Sequence, residues 1–445
     1  MANLQEPLPS GGPTREEIAQ IEVGHTTVTA TVARWLVATF LVAIFAVPVI
    51  ESASARARGE ENADTASRGF AGLPQRIRRH LTNSAPDATL WRRVVAANRE
   101  VLARLTEFER NLDDRSLLGR TLRRPAQRFV TGWLGGGNER VYPGRDGWLF
   151  YRPDVEYITG QPFLNAAEFE RRIAAASEWT AAPQPDPREA ILRLHGDLQS
   201  RGIALVVMPT PVKPGVHPEM LARRDPPDAG VLENASFTQL VTDLRRAHVL
   251  VFDPGNALAS TRSAGPQYLM TDTHWLPETM EAVVERLAAF IEAHVELPVA
   301  VDPAYRIERL EVRNTGDTAR MLDLPEDDRS FPPEVVWLRR ILQPDGSLWR
   351  SSRNADVLLL GDSFSNIYSL ESMGWGTSAG LAEQLSYVLR RPVDRLMQND
   401  QGAFATRAMV QRDPQRLEGK RLVVYQFAAR ELAFGDWKVL PLPTE

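Results

Sequence analysis

The chain has 445 residues, 43% hydrophobic and 24% charged, enough for one large domain or two modest ones with accessory segments. A formal net charge of −5 excludes a general electrostatic attraction to nucleic acid, and no basic face is evident beyond short clusters such as Arg76-Ile77-Arg78-Arg79. With no cysteine, disulfides, thiolate chemistry and Cys-ligated metal sites are excluded as well.

Residues 1–31 form a polar tail. From Val32 to Ile50 the sequence is almost wholly apolar, with Arg34 placed to snorkel at one end, which predicts one transmembrane helix over 32–50. A polar leader of about thirty residues is long for a signal peptide and favours a retained signal anchor. Cleavage at the small-residue pattern Ala53-Ser54-Ala55 is the other outcome. Arginines stand on both sides of the segment, Arg15 and Arg34 before it and Arg56, Arg58 and Arg68 after it, so positive-inside bias gives no orientation.

Residues 51–135 are rich in Arg and Glu. Leu90, Val94, Val95, Val101, Leu102 and Leu105 recur at three- and four-residue spacings, which predicts an amphipathic helix acting as a stalk or packing segment. After the glycine-rich break at Gly132–Gly137, the turn Gly144-Arg145-Asp146-Gly147 precedes aromatic and apolar residues. This predicts a β-hairpin at the start of a domain over 136–445. Apolar runs then alternate with helical patterns. Strands are expected at Ile203–Pro211, Val249–Pro254, Val357–Ser363, Val393–Gln398 and Arg421–Phe427. Helices are expected near 191–198, 237–247, 276–293, 370–389 and 407–417, with an irregular stretch up to about 350. The alternation predicts an α/β fold, a parallel sheet flanked by helices, with ligands at the carboxyl ends of its strands.

At one such end stands Gly361-Asp362-Ser363. A serine at a strand-to-helix corner has two physical readings: a nucleophile beside free backbone N–H groups, or the cap of the helix that follows. A nucleophile needs a base, and an effective base needs an orienting carboxylate. Of seven histidines, His274 is the one in a suggestive setting, Asp272-Thr273-His274-Trp275, where residues two apart project to the same side of an extended segment. The same four residues also read as a capped helix start. A metal site is the weaker reading, because two close ligands have no third ligand motif beside them, so no metal and no cofactor are expected. Lys213 ends a strand at the same edge, where a solvated loop lysine is the default. Trp275, Tyr368 and Trp375 offer sugar-stacking surfaces or core residues.

Gly144-Arg-Asp-Gly-Trp-Leu-Phe150, Asp272-Thr-His-Trp275 and Gly361-Asp-Ser-Phe364, in that order, resemble the alginate O-acetyltransferase family (AlgJ/AlgX-like), with its permuted SGNH hydrolase-like domain. In standard SGNH enzymes the Asp-x-x-His block lies near the C-terminus; here Asp-x-His comes before the serine. The resemblance spans about residues 140–436. It implies that Ser363 carries the acetyl group, His274 is general base and Asp272 orients it. Asn399 and Gly402 are then candidate oxyanion groups, Asn399 also reading as a turn residue; Arg430 and Trp275 are candidate substrate contacts, Arg430 also reading as an ion-pair partner in the surroundings of Glu431. The function implied is O-acetyl transfer to hydroxyls of an exopolysaccharide, with a multispanning membrane-bound O-acyltransferase as acetyl supplier. The main domain would lie on the periplasmic side of the cytoplasmic membrane. A polysaccharide acetylesterase with the same triad, or a non-catalytic carbohydrate-binding subunit, are the rival readings.

Overall fold

The structure, a computed structural model, describes residues 29–42, 98, 101, 117–175, 181–222 and 230–443. Its strands in chain order are β1 (Val141–Pro143), β2 (Leu149–Tyr151), β3 (Ala204–Thr210), β4 (Leu250–Val251), β5 (Arg306–Asn314), β6 (Glu334–Leu342), β7 (Val357–Gly361), β8 (Asp394–Met397) and β9 (Leu422–Ala428). Helices between and around them include α1 (Arg152–Thr159), α2 (Pro187–Gln199), α3 (Lys213–Val216), α4 (Phe237–Arg246), α5 (Pro277–His294), α6 (Asp317–Met321), α7 (Ser363–Asn366), α8 (Leu381–Val388) and α9 (Ala405–Arg412).

The central sheet has the order β4-β3-β9-β7-β8, with every neighbouring pair parallel. The expected α/β architecture is therefore present. Side chains alternate between its faces. Val206, Met208, Val357, Leu359, Leu422 and Val424 join one core with Trp275, Phe364 and α5, while Leu205, Val207, Leu358, Leu360, Val423 and Tyr425 join another with α2 and α4. Burial on both faces explains why β7 and β9 read as unbroken apolar runs rather than alternating ones.

β1 and β2 form the expected antiparallel hairpin, with Val141 opposite Tyr151 and Pro143 opposite Leu149. Its turn uses left-handed backbone at Asp146 (φ 52°) and Gly147 (φ 82°), the second of which glycine adopts without strain.

Three local expectations are corrected. The stretch before residue 350 contains a nine-residue antiparallel ladder, β5 with β6, which sequence patterning missed because Arg and Glu interrupt β5 and leave most of it exposed. The helix expected over 370–389 shortens to α8, since Gly374 (φ 80°) and Gly376 (φ 92°) take left-handed conformations that no continuing helix allows. The helix expected over 407–417 ends at Arg412; Pro414 cannot continue it and opens a 3₁₀ turn to Leu417.

The chain divides into two units, residues 1–123 and 124–445. In the first, residues 30–42 are helical, with Trp35, Leu36 and Phe40 exposed. Among the described residues no helix is long and apolar enough to cross a membrane. The remainder of the 32–50 segment and most of 51–135 lie outside the described residues, apart from the helix Leu117–Leu134 that spans the division.

Leu359 is fully buried at the middle of β7. Leu359→Ala should cost about 2–5 kcal/mol of stability, read as a lower urea midpoint in equilibrium unfolding.

Candidate active site

β7 delivers the chain into a corner whose geometry is set by Asp362. Its carboxylate accepts from Phe364 N (2.9 Å), Gln426 Nε2 (3.0 Å) and Ala428 N (2.6 Å). One side chain thus caps α7 and ties the end of β7 to the end of β9. Gln426 completes the tie, accepting from Asp362 N (3.1 Å) and Ser365 Oγ (2.6 Å) and donating to Thr210 Oγ1 (2.9 Å) at the end of β3. A Cβ on Gly361 would meet Ser365 Oγ at 2.5 Å and Met397 Sδ at 2.8 Å, so the corner closes only on glycine. With Asp362 as N-cap, Ser363 is the first helical residue and its hydroxyl forms no capping bond. Of the two readings of Gly-Asp-Ser, capping belongs to the aspartate.

The second motif lies on the loop before α5. His274 Nδ1 is 2.6 Å from Asp272 Oδ1, and the His274 backbone N–H donates to the same oxygen at 3.1 Å. The pair meets through an Asx-type turn rather than an extended segment. Asp272 Oδ2 accepts from Trp375 Nε1 and from Asp317 N, both at 2.9 Å. Burial alone would raise the Asp272 pKa. The His274 hydrogen bond and charge, with the Trp375 and Asp317 donors, bring it down to about 2. Burial likewise opposes a charge on His274, but Asp272 and then Asp317 outweigh it and raise its proton affinity. His274 Nε2 is buried and has no hydrogen-bond partner.

Phe364 connects the two motifs. Its ring lies 4.8 Å from His274, 5.5 Å from Trp275 and 6.3 Å from Tyr268. Trp275 Nε1 donates to Phe364 O (3.2 Å), and Tyr368 Oη donates to Trp275 O (2.6 Å). Of the two readings of Trp275, Tyr368 and Trp375, core is the one that fits: all three are fully buried, and their polar atoms serve this scaffold.

Ser363, Asn399, Gly402 and Arg430 line one pocket of about 30 Å³, together with Asp362, Gln426 and Glu431. It has room for a group about the size of one or two waters. Asn399 Oδ1 accepts from Asn366 Nδ2 (3.1 Å). Gly402 holds φ at 75°. Arg430 donates through Nη1 to the fully buried Asp154 of α1 (2.9 Å) and lies 5.8 Å over the Phe364 ring. Burial disfavours the guanidinium charge, yet Asp154, Glu431 and Asp362 raise its pKa and keep it protonated.

Asp317 carries no local sequence signal. Asp317 holds Thr273 through N (2.7 Å) and Oγ1, and its Oδ2 stands 3.9 Å from His274 Nδ1; burial first and repulsion from Asp272 second push its pKa up to about 6. It supplies the third ligand atom missing from the metal reading, since Asp272, His274 and Asp317 offer atoms within 4.8 Å of one another. Every oxygen of both carboxylates already accepts an N–H or O–H donor, an arrangement that suits a hydrogen-bonded network. His217 also has an orienting carboxylate: Nδ1 lies 2.8 Å from Glu219, which corrects the reading that singled out His274 alone. Its Nε2 accepts from Gln267 N (2.9 Å), leaving no free nitrogen for catalysis. Lys213, expected to be solvated, is completely buried.

The fold and this corner define an SGNH hydrolase-like α/β domain. The chain belongs to the family described as SGNH hydrolase-like domain, acetyltransferase AlgX, which matches residues 141–429, more than half of the sequence. The probable alginate O-acetylase AlgJ of Pseudomonas aeruginosa is 29% identical over 207 residues, 46% of each chain. That of Azotobacter vinelandii is 27% identical over 184 residues, 41% of this chain and 45% of the other. The match thus spans about half the length of these curated relatives. The O-acetyltransferase domain of Pseudomonas putida AlgJ shares the fold, with a TM-score of 0.51 at 22% identity over 67% of this chain and 93% of that domain.

A Cβ on Gly316, just before α6, would stand 2.0 Å from Thr271 O. Gly316→Ala should therefore displace the Asp272 loop and destabilise the protein by about 2–4 kcal/mol in thermal melts. Gly196→Ala, in α2 with nothing within 4 Å of the new Cβ, should instead stabilise it by up to about 1 kcal/mol.

Proposed function

We propose that this protein is an O-acetyltransferase working through an acyl-serine on Ser363. The observation that carries this reading is the His274 ring itself: Nδ1 is held by Asp272 at 2.6 Å, while the buried Nε2 has no partner. That is the state of a base waiting for a hydroxyl.

Ser363 Oγ gives its proton to His274 Nε2 and attacks the carbonyl carbon of an acetyl donor; the leaving group departs with that proton. A sugar hydroxyl then gives its proton to Nε2 and attacks the acyl-serine, and the serine oxygen is reprotonated as it leaves. Asp272 holds the imidazole and favours its charged form. The Ser363 N–H, the Asn399 side chain and the Gly402 backbone receive the negative oxygen of each tetrahedral intermediate. Arg430, fixed by Asp154, faces the same pocket and holds the substrate. Trp275 acts through the scaffold rather than on substrate.

The names of the relatives support a polysaccharide acceptor, alginate-like among the acidic glycans. A multispanning membrane-bound O-acyltransferase as acetyl supplier, a signal anchor over 32–50 and an extracytoplasmic domain complete the proposal. The anchor is tested by membrane fractionation of the full chain: removal of residues 1–50 should release it to the soluble fraction.

Wild-type protein should hydrolyse a nitrophenyl acetate slowly, form a covalent Ser363 adduct with a sulfonyl fluoride, and move acetyl to an oligosaccharide. Ser363→Ala should lose roughly 10⁴- to 10⁶-fold in rate. Hydrolysis without transfer would assign an esterase; folded protein with neither activity nor adduct would exclude both. Because the base must be neutral, the rate should rise with pH through a midpoint above 6.5, the ordinary value for histidine. Asp272→Asn removes the charge that raises that midpoint. It should shift the acid limb to lower pH while cutting the maximal rate on the order of 10³- to 10⁴-fold.

A further inference from the structure

Of 52 basic residues only Lys213, Lys420 and Lys438 are lysines. Lys213 and Lys420 have fully buried side chains whose ammonium groups donate to backbone carbonyls. Lys213 follows the carboxyl end of β3 and opens α3. Its Nζ donates to Leu149 O (2.5 Å), Met270 O (2.7 Å) and Asp272 O (3.1 Å). The rings of Trp148 and Phe150 wall it at 5.0 and 5.2 Å. Leu149 N in turn donates to Met270 O at 2.8 Å, so β2 and the Asp272 loop are stitched together at the lysine.

We propose that Lys213 is a positioning residue that sets the backbone of the Asp272–His274 loop, and that the Gly144–Phe150 hairpin is its seat. The proposal rests on the acyl-serine reading of the site. It gives the hairpin motif a role: Leu149 supplies a carbonyl, and Trp148 and Phe150 supply the two ring faces that receive the ammonium. An ammonium directs three N–H bonds at three separate carbonyls, whereas a guanidinium presents a planar fork, which explains lysine here in an arginine-rich chain.

Carboxylates on four other elements favour the charged ammonium: Glu334 at the start of β6, Asp272 on the loop, Asp317 in α6 and Asp154 in α1. Burial is the largest influence and outweighs all four, lowering the pKa to about 8. Above that pH the neutral amine has two N–H donors for three carbonyls. One of the three bonds from the lysine is then lost, and the loop carrying Asp272 loosens.

The test is the pH profile of nitrophenyl acetate hydrolysis, with sulfonyl fluoride labelling of Ser363 as a second readout, for the full-length wild type and Lys213→Met. Wild type should show an alkaline limb near pH 8. Lys213→Met, folded by circular dichroism, should lose that limb and about 10- to 100-fold in kcat, with KM changed by less than about threefold. If Lys213→Met does not fold, Lys213→Gln, whose amide keeps two N–H donors, is read in the same way. Wild-type kcat in either folded variant, or an alkaline limb that persists in it, overturns the positioning role while leaving the acyl-serine reading intact. A wild type without activity or adduct overturns both.

Discussion

The candidate site depends on satisfying the backbone of a buried loop that has no strand to pair with. Residues 271–274 are almost fully buried, and an unsatisfied buried N–H or C=O costs about 1–3 kcal/mol. Side chains and neighbouring turns take the place of a ladder. Glu334 accepts from Met270 N, Thr271 N and Thr271 Oγ1; Thr318 Oγ1 and Ala319 N donate to Thr271 O; Asp317 accepts from Thr273 N. Lys213 closes the carbonyl side. Acidic groups gather the N–H donors and the lysine gathers the carbonyls, so the loop is held by charge-assisted bonds from β6, α6 and α3 at once.

That arrangement makes the Asp272–His274 pair rigid without committing its free nitrogen. All four acceptor positions named on Asp272 are used inside the protein, by His274 twice, Trp375 and Asp317. The carboxylate is thereby kept ionised and aimed, and Nε2 is the one polar atom of the pair left without a partner. Phe364 then couples the loop to the serine corner, because the residue after Ser363 packs on both His274 and Trp275. A shift at either motif is felt by the other through that ring, since close-packed interiors transmit strain.

Legibility in the sequence followed the range of the interactions. The parallel sheet was readable because strands buried on both faces carry dense apolar runs, and the hairpin because Gly144 to Gly147 spells its turn. The Asp272–His274 pairing was readable, and Ser363 stood out as a candidate, because each motif is local and its residue types are chemically distinctive. The β5–β6 ladder was hidden by its charged, exposed face. Asp317, Glu334, Gln426 and Asp154 were hidden for another reason: each acts on a backbone or side chain distant in sequence, and no local pattern records such a partnership. Lys213 had a faint signal, a rare lysine directly after an apolar strand, but exposure is the usual state of lysine and burial was set by residues 64 and 57 positions away.

The serine corner shows why Asp stands between Gly361 and Ser363. If the serine capped α7, its hydroxyl would be spent on a backbone N–H; with Asp362 as cap, Ser363 lines the pocket with its hydroxyl free of that duty. The same carboxylate binds Ala428 N and Gln426, fixing the corner against β9, the strand that leads directly to Arg430. Asp362 therefore sets the serine and the arginine relative to each other from one point, and Asp154 fixes the far end of the arginine. Replacing Asp362 by alanine would remove the cap together with the carboxylate's bonds to Gln426 and Ala428 at the end of β9, so its effect on Ser363 would be positional.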